Sequence, residues 1–187
     1  MTPARDHILE TTCELLELQG YHATGLNQII KESGSPKGSL YYYFPGGKDE
    51  LTAEALKRTG RIVLERMQMT LAEVADPADA IGGFLLKLAY FVPASGYRAG
   101  GPITTVALET AANNEALSIV CREIYGAWQA AFAGKLVEGG FTPERARSLA
   151  TLITAAVEGA IILSRTSRSP QPLEDCAHEL THLIRGG

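Results

Sequence analysis

The sequence predicts an all-α protein of about nine helices, and three observations carry that reading. In the long segments apolar residues recur three and four positions apart, as in Leu51, Ala55, Leu56, Val63 and Met67, which is the period of a helix face. No segment alternates apolar and polar residues as a half-buried strand would. Glycines close the periodic runs at Gly20, Gly34 and Gly139-Gly140, while Pro77, Pro102, Pro143 and Pro172 open them, the asymmetry expected of helix ends and starts.

Taken in order, a first helix spans residues 3–18, with Ile8, Thr12, Leu15 and Leu16 inward and Gly20 as terminator. A short second helix opens at Thr24 as N-cap and places Leu26, Ile29 and Ile30 on one face. Gly34 stops it, and Ser35 and Pro36 stand where the next helix wants its N-cap and first residue. That third helix turns Leu40 and Phe44 inward and leaves Lys37, Gly38, Ser39, Tyr42 and Tyr43 outward. Pro45-Gly46-Gly47 closes the unit and a long helix follows over residues 48–74. Asp76 and Pro77 start a helix that runs to Val92, and 93–101 is a glycine-rich surface segment. Four more helices cover 102–112, 115–137, 143–165 and 172–184. Two all-α domains, 1–47 and 48–187, are the simplest architecture.

Two short helices joined by a tight turn, the second carrying Tyr41-Tyr42-Tyr43, form the arrangement of a helix-turn-helix DNA reader. Lysine and a helix N-terminus attract phosphate, Gly38 lets a backbone approach, and tyrosine bonds phosphate or packs on bases. Three adjacent tyrosines cannot all be buried on one helix face, which disfavours a plain helical hairpin.

The runs Thr24-Gly-Leu-Asn-Gln-Ile and Pro36-Lys-Gly-Ser-Leu-Tyr-Tyr-Tyr-Phe-Pro-Gly-Gly-Lys48 resemble the TetR family of transcriptional repressors, in particular its LmrA/QacR-like branch. The likeness covers about the first fifty residues. It implies that Thr24, Ser35, Lys37, Tyr43 and Lys48 hold phosphates, while Gly38, Ser39, Tyr41 and Tyr42 lie along the major groove. Many members carry histidine where this chain has Tyr43, so the operator sequence does not transfer. The resemblance also implies a homodimer formed through the last two helices, a palindromic operator and a small-molecule sensor half.

The 187 residues can bury a substantial core, and 45% hydrophobic with 20% charged is an ordinary soluble composition. The N-terminus lacks the apolar run of a secretion signal and no long stretch is free of charges, so a cytoplasmic protein is expected. Cys13, Cys121 and Cys176 are odd in number and lie in apolar-periodic segments, as reduced core thiols would. A net charge of −4 and a pI near 5.6 oppose nucleic-acid binding taken alone. The distribution favours it: between His22 and Lys48 the one acid, Glu32, faces Lys31, Lys37 and Lys48. Asp6, Glu10, Glu14 and Glu17 are expected on the outer face of the first helix. A positive head on an acidic body resists non-specific sticking and calls for two heads on one dimer.

In the second half Phe84, Leu88, Phe91, Ile103, Val106, Ala107, Ile124, Trp128, Phe132, Val157 and Ile161 recur at helical spacing. They make an ordinary core or, with Met67, the wall of a chamber for a small, largely apolar effector, as the resemblance implies. Glu109 and Glu158 are the acids with apolar neighbours, which would favour a cationic ligand. Tyr97 and Arg98 in the glycine-rich segment either line an entrance or sit in solvent. Residues 143–165 present Ala146, Leu149, Ile153, Ala156, Ala160 and Leu163, and 172–184 present Leu173, Ala177, Leu180 and Ile184, stripes that need a partner. His178-Glu179-Leu180-Thr181-His182 spells the H-E-x-x-H pattern of zinc proteases, but no third ligand follows it and a solvated helix face explains it better. No cofactor is implied. The reading is a dimeric TetR-like repressor released by an effector; its rivals are a constitutive DNA binder and, remotely, a metalloenzyme.

Overall fold

The computed structural model describes residues 3–98 and 100–186. Met1, Thr2 and Gly187, and Ala99 in the expected surface segment, lie outside the described residues. Among those described, nine helices and no strand are found: α1 Pro3–Ala23, α2 Leu26–Glu32, α3 Lys37–Tyr43, α4 Gly47–Ala72, α5 Pro77–Ala94, α6 Pro102–Thr110, α7 Glu115–Glu138, α8 Pro143–Ser167 and α9 Gln171–Gly186. The packing divides into two compact units, Met1–Arg61 with Gly101–Ile124, and Ile62–Gly100 with Tyr125–Gly187. α4 and α7 each contribute one end to both.

The first unit is built on α1, whose Ile8, Leu9, Leu15 and Leu16 are buried with Ile29 of α2, Leu40 of α3 and Phe44 just after it. Leu51, Ala55 and Leu56 of α4 and Ile103 and Val106 of α6 complete that core. Each such fully buried leucine, isoleucine or phenylalanine contributes roughly 1.5–3 kcal/mol over its exposed state. Thr12 sits inside because its hydroxyl donates to Ile8 O at 2.7 Å, the helical way to bury a hydroxyl. Gly20 adopts φ 79, ψ −177 inside α1, a conformation open to glycine alone, so the regular helix breaks there. Gly60 of α4 meets α7 so closely that an added Cβ would lie 2.8 Å from Ile124 Cγ1. On the outside, Arg58 pairs with Glu10 at 2.7 Å and Arg5 with Glu54 at 3.1 Å, partly exposed pairs contributing at most about 1 kcal/mol each.

The acids of α1 are not all outward. Glu10 and Glu14 are exposed, but Glu17 is half-buried and accepts from the Gly101 N–H at 2.9 Å, and Asp6 has a buried carboxylate oxygen. The Glu17 departure has no local cue, because its partner, Gly101, is remote in sequence.

In the second unit α9 packs on α5 and α8. Gly82 makes the α5–α9 approach possible, since a Cβ there would overlap the Thr181 hydroxyl. Leu173, Ala177, Leu180 and Ile184 are buried within their own chain, which corrects the expectation that this stripe faces a second copy. On α8, Ala146, Leu149, Ile153 and Ala160 are buried too, whereas Leu152, Ala155, Ile162 and Leu163 are exposed. Asp76 caps α5 by accepting from Asp79 N at 2.9 Å, and Thr142 caps α8 through Arg145 N at 3.3 Å. The Asp76 cap was legible from the D-P pair. Lys135, 8% exposed, reaches Val74 O at 2.6 Å, supplying a cation to a carbonyl just past the end of α4.

Candidate nucleic-acid interface and effector region

α2, a turn and α3 form the expected pair, with corrected caps. Gly25, not Thr24, occupies the α2 N-cap, and Thr24 is 1% exposed with its hydroxyl donating to Gly20 O at 2.6 Å. Pro36, not Ser35, occupies the N-cap of α3, so the helix starts one residue later, at Lys37. Ser35 is buried, and its N–H donates to Ser33 Oγ at 3.4 Å in the turn. Gly34 at φ 62 makes that turn. Gln19 of α1 holds the pair from behind, donating to Gln28 Oε1 at 2.8 Å.

The face of α3 is as polar and aromatic as its sequence implies. Lys37, Gly38, Tyr41 and Tyr42 are exposed, Tyr42 at 79%, and Ser39 and Tyr43 are half-buried. The Tyr42 and Tyr43 rings stand edge to face at 5.1 Å, and Tyr43 meets Phe44 at 6.4 Å. An edge-to-face aromatic series anchored on the buried Phe44 therefore orients side chains that would otherwise sample several rotamers.

Beside this face the start of α4 meets the end of α1. The Lys48 ammonium lies 4.1 Å from the centroid of the Tyr21 ring, and the Tyr21 hydroxyl donates to Asp49. Asn114, between α6 and α7, donates to the other Asp49 oxygen at 2.9 Å. Burial, then the Asp49 bond and charge, push the Tyr21 hydroxyl up to about 12. Burial lowers the Lys48 ammonium below its ordinary value, opposed by Asp49 and Glu109. Glu109 lies within the first unit, where its carboxylate accepts from the His22 N–H at 2.8 Å and packs on Gly20. Sequence reasoning missed Tyr21, Asp49 and Asn114, which are separated by 28 and 65 positions and show no shared periodicity.

The residues expected around an effector fall in both units. Ile103 and Val106 are buried and Ala107 half-buried in the first, where Ile103 O accepts from the Cys121 thiol at 3.9 Å. In the second, Met67, Phe84, Trp128, Phe132, Val157 and Ile161 are buried, Leu88 is half-buried and Phe91 exposed. Phe84 and Phe132 meet edge to face at 5.6 Å, and Trp128 meets Tyr125 at 5.5 Å. Tyr97 is half-buried at φ 62 beneath the Arg168 guanidinium, 5.3 Å from its ring, while Arg98 is exposed. Cavities open in this unit. One of about 300 Å³ is lined by Gln68, Leu71, Ala72, Ala130, Ala131, Gly134, Lys135 and Glu138. Another of about 570 Å³ is lined by Leu86, Ala89, Tyr90, Pro93, Ala94, Pro170 and Glu174.

All three cysteines are free; burial raises each thiol above its ordinary value, and Cys121 alone is fully buried. His178, Glu179 and His182 are exposed on α9, and no cluster of three or more metal-ligating side chains is found among the described residues.

The comparisons with known proteins agree with this architecture. Residues 8–55 match the bacterial TetR regulatory family, and residues 77–179 match the C-terminal domain of LmrA/YxaF-like transcriptional regulators. The chain is 46% identical over 182 residues to the helix-turn-helix transcriptional regulator YxaF of Bacillus subtilis, covering 97% of this chain and 95% of that one. It is 39% identical to LmrA of the same organism, covering 91% and 90%. Among solved structures, a TetR regulator from Chloroflexus aurantiacus superposes with a TM-score of 0.83 at 26% identity, covering 97% and 94%. FadR of Bacillus subtilis in complex with stearoyl-CoA superposes at 0.75 and 19% identity, covering 96% of each chain. These relatives are regulators and not enzymes, which leaves the H-E-x-x-H run as a solvated helix face. The chain belongs to the TetR family of helix-turn-helix transcriptional regulators, with an LmrA/YxaF-like C-terminal domain.

Proposed function

We propose that the protein is a cytoplasmic repressor that binds a palindromic operator as a homodimer and is released by a small, largely apolar effector. The observation that carries the DNA reading is the exposed Lys37, Gly38, Tyr41 and Tyr42 set on a helix anchored by buried Leu40 and Phe44. In this reading Lys37, Tyr43 and Lys48 hold phosphates and Gly38, Ser39, Tyr41 and Tyr42 follow the major groove. Thr24 and Ser35, both buried, brace that surface from behind through their neighbouring backbone. Lys37→Ala is expected to weaken binding to all duplexes and to flatten the salt dependence by about one unit of slope per subunit, as removing a single phosphate ligand does. Tyr42→Ala is expected mainly to reduce the preference for the operator over random DNA. Anisotropy titrations across a salt series, with circular dichroism to verify folding, separate the two; unaltered operator binding by both variants removes the reading.

The effector is proposed to sit among the second unit's apolar side chains, with Trp128, Phe84 and Phe132 as aromatic walls. FadR of Bacillus subtilis was solved with stearoyl-CoA, whose acyl chain is apolar although its coenzyme A part is charged, and that chain supports the apolar part of the reading. α4 runs from Lys48 to Met67 without a break, and this continuity supports coupling between a ligand against its later turns and the DNA-reading helices. Apolar aromatic compounds are expected to quench Trp128 fluorescence and to dissociate the operator complex, with Trp128→Ala blunting release while sparing DNA affinity. Shifting a regulator from mostly competent to mostly incompetent takes on the order of 5 kcal/mol of differential affinity, and operator DNA must weaken effector binding by the same factor. Failure of a broad panel of such compounds to do either leaves a constitutive binder.

A further inference from the structure

Lys48 is held before any DNA arrives. Its ammonium lies 4.1 Å above the Tyr21 ring, and the next residue, Asp49, is occupied by the Tyr21 hydroxyl on one oxygen and by Asn114 Nδ2, at 2.9 Å, on the other. The Glu109 carboxylate, five residues upstream of Asn114, accepts the N–H of His22 at 2.8 Å. Two side chains from the α6–α7 corner thus converge on one tyrosine. Glu109 fixes the peptide after it, and Asn114 fixes the carboxylate that holds its hydroxyl. With backbone and hydroxyl both tied, the ring has one orientation, and a cation attracted to its face has one preferred place.

We propose that Tyr21 is the positioning residue for the Lys48 ammonium, and that Glu109 and Asn114 make the α6–α7 corner the clamp that keeps it so. The proposal rests on the reading of Lys48 as a phosphate ligand. A free lysine samples many rotamers and loses that freedom on meeting phosphate. One preorganised over an aromatic face has already lost part of it, which strengthens binding without adding a further bond. The ring attracts the ammonium without neutralising it, so the full charge stays available, whereas a carboxylate partner would compete with phosphate. Asp49 and Glu109 are the carboxylates placed to do so; the Tyr21 and Asn114 bonds engage both Asp49 oxygens, and the His22 N–H engages Glu109.

The test uses the full-length protein and a duplex selected from a random pool by the wild type, titrated by anisotropy over a salt series. Lys48→Ala should lower the slope by about 0.9 per subunit, the signature of one phosphate ligand. Tyr21→Leu should weaken binding about fivefold, the size of a cation–aromatic attraction, and cost nothing further in the Lys48→Ala background. Tyr21→Phe keeps the ring and should retain the slope, with about a twofold loss because the Asp49 oxygen that accepted from the hydroxyl is freed; Asn114→Ala should give the same loss, again only when Lys48 is present. A purely structural tyrosine would instead show equal losses with and without Lys48 and a lowered Tm; that result, or wild-type affinity in Asn114→Ala, overturns the proposal. Should Tyr21→Leu fail to fold, the Tyr21→Phe and Asn114→Ala pairs with Lys48→Ala carry the same decision. An unchanged slope in Lys48→Ala overturns the phosphate reading of that residue instead, and the absence of any salt-dependent binding by the wild type overturns DNA recognition itself.

Discussion

Replacing Gly20 by alanine is expected to destabilise the protein by on the order of 3 kcal/mol and to lower Tm by roughly 6–12 °C. Two effects add. At φ 79, ψ −177 an alanine is strained by sterics alone, and its Cβ would overlap the Glu109 carboxylate, displacing an acceptor that the His22 N–H uses. Calorimetry on Gly20→Ala and on Gly20→Ala with Glu109→Ala divides the two: the second substitution relieves the overlap but not the backbone strain, so it should recover only part of the loss. Full recovery would mean the backbone tolerates alanine there, and no loss at all would mean that Gly20 is not held in this conformation.

That glycine also marks where the sequence was informative and where it was not. Gly20 was legible as a helix terminator because termination is local, and the same holds for the boundaries at Gly34 and Asp76. The 3.6-residue period gave Ile8, Thr12, Leu15, Leu16, Ile29, Leu40 and Phe44 as inward, all of them buried, but missed the buried Leu9 and set Leu26 and Ile30, both half-buried, on the same footing as Ile29. Helix caps slipped by one residue at Gly25 and Pro36, because the side chain that would cap, Thr24 or Ser35, is used by a neighbouring carbonyl or buried in the turn. What Glu109 and Asn114 do was not legible: their partners lie 87 and 65 residues away, and an acid or amide on a helix flank looks the same whether it faces water or a distant peptide. The α9 stripe failed differently. An apolar face announces that it needs a partner without saying which, and Gly82, 91 to 102 positions before Leu173 and Ile184 by number, is what lets α5 be that partner.

Leu163→Asp is expected to convert the protein to folded monomers, and Leu180→Asp to unfold it. Leu163 is 58% exposed, on a face of α8 shared with Leu152, Ala155 and Ile162. On a member of a family that usually acts as dimers, these exposed apolar side chains are the place we propose for the isologous contact. A charge there costs little in the single chain but is unpaired once a second copy covers it. Leu180, at 5% exposure, is buried against its own chain, and an uncompensated carboxylate at a buried site exceeds the few kcal/mol that a typical core substitution costs. Sedimentation and circular dichroism distinguish the two: a monomeric but cooperative Leu163→Asp and a non-cooperative or insoluble Leu180→Asp are expected. The reverse pattern would return the α9 stripe to the interface between chains.

The most direct measurement is the mass of the complex formed on a duplex that the wild-type protein selects from random sequence. Two copies bound together on an inverted repeat, with half-site centres about 34–36 Å apart or a multiple of that, and disappearance of that complex in Leu163→Asp at concentrations where wild type is saturated, are the result this account predicts. Selection of no inverted repeat, or undiminished binding of single copies to half-sites in Leu163→Asp, would contradict it.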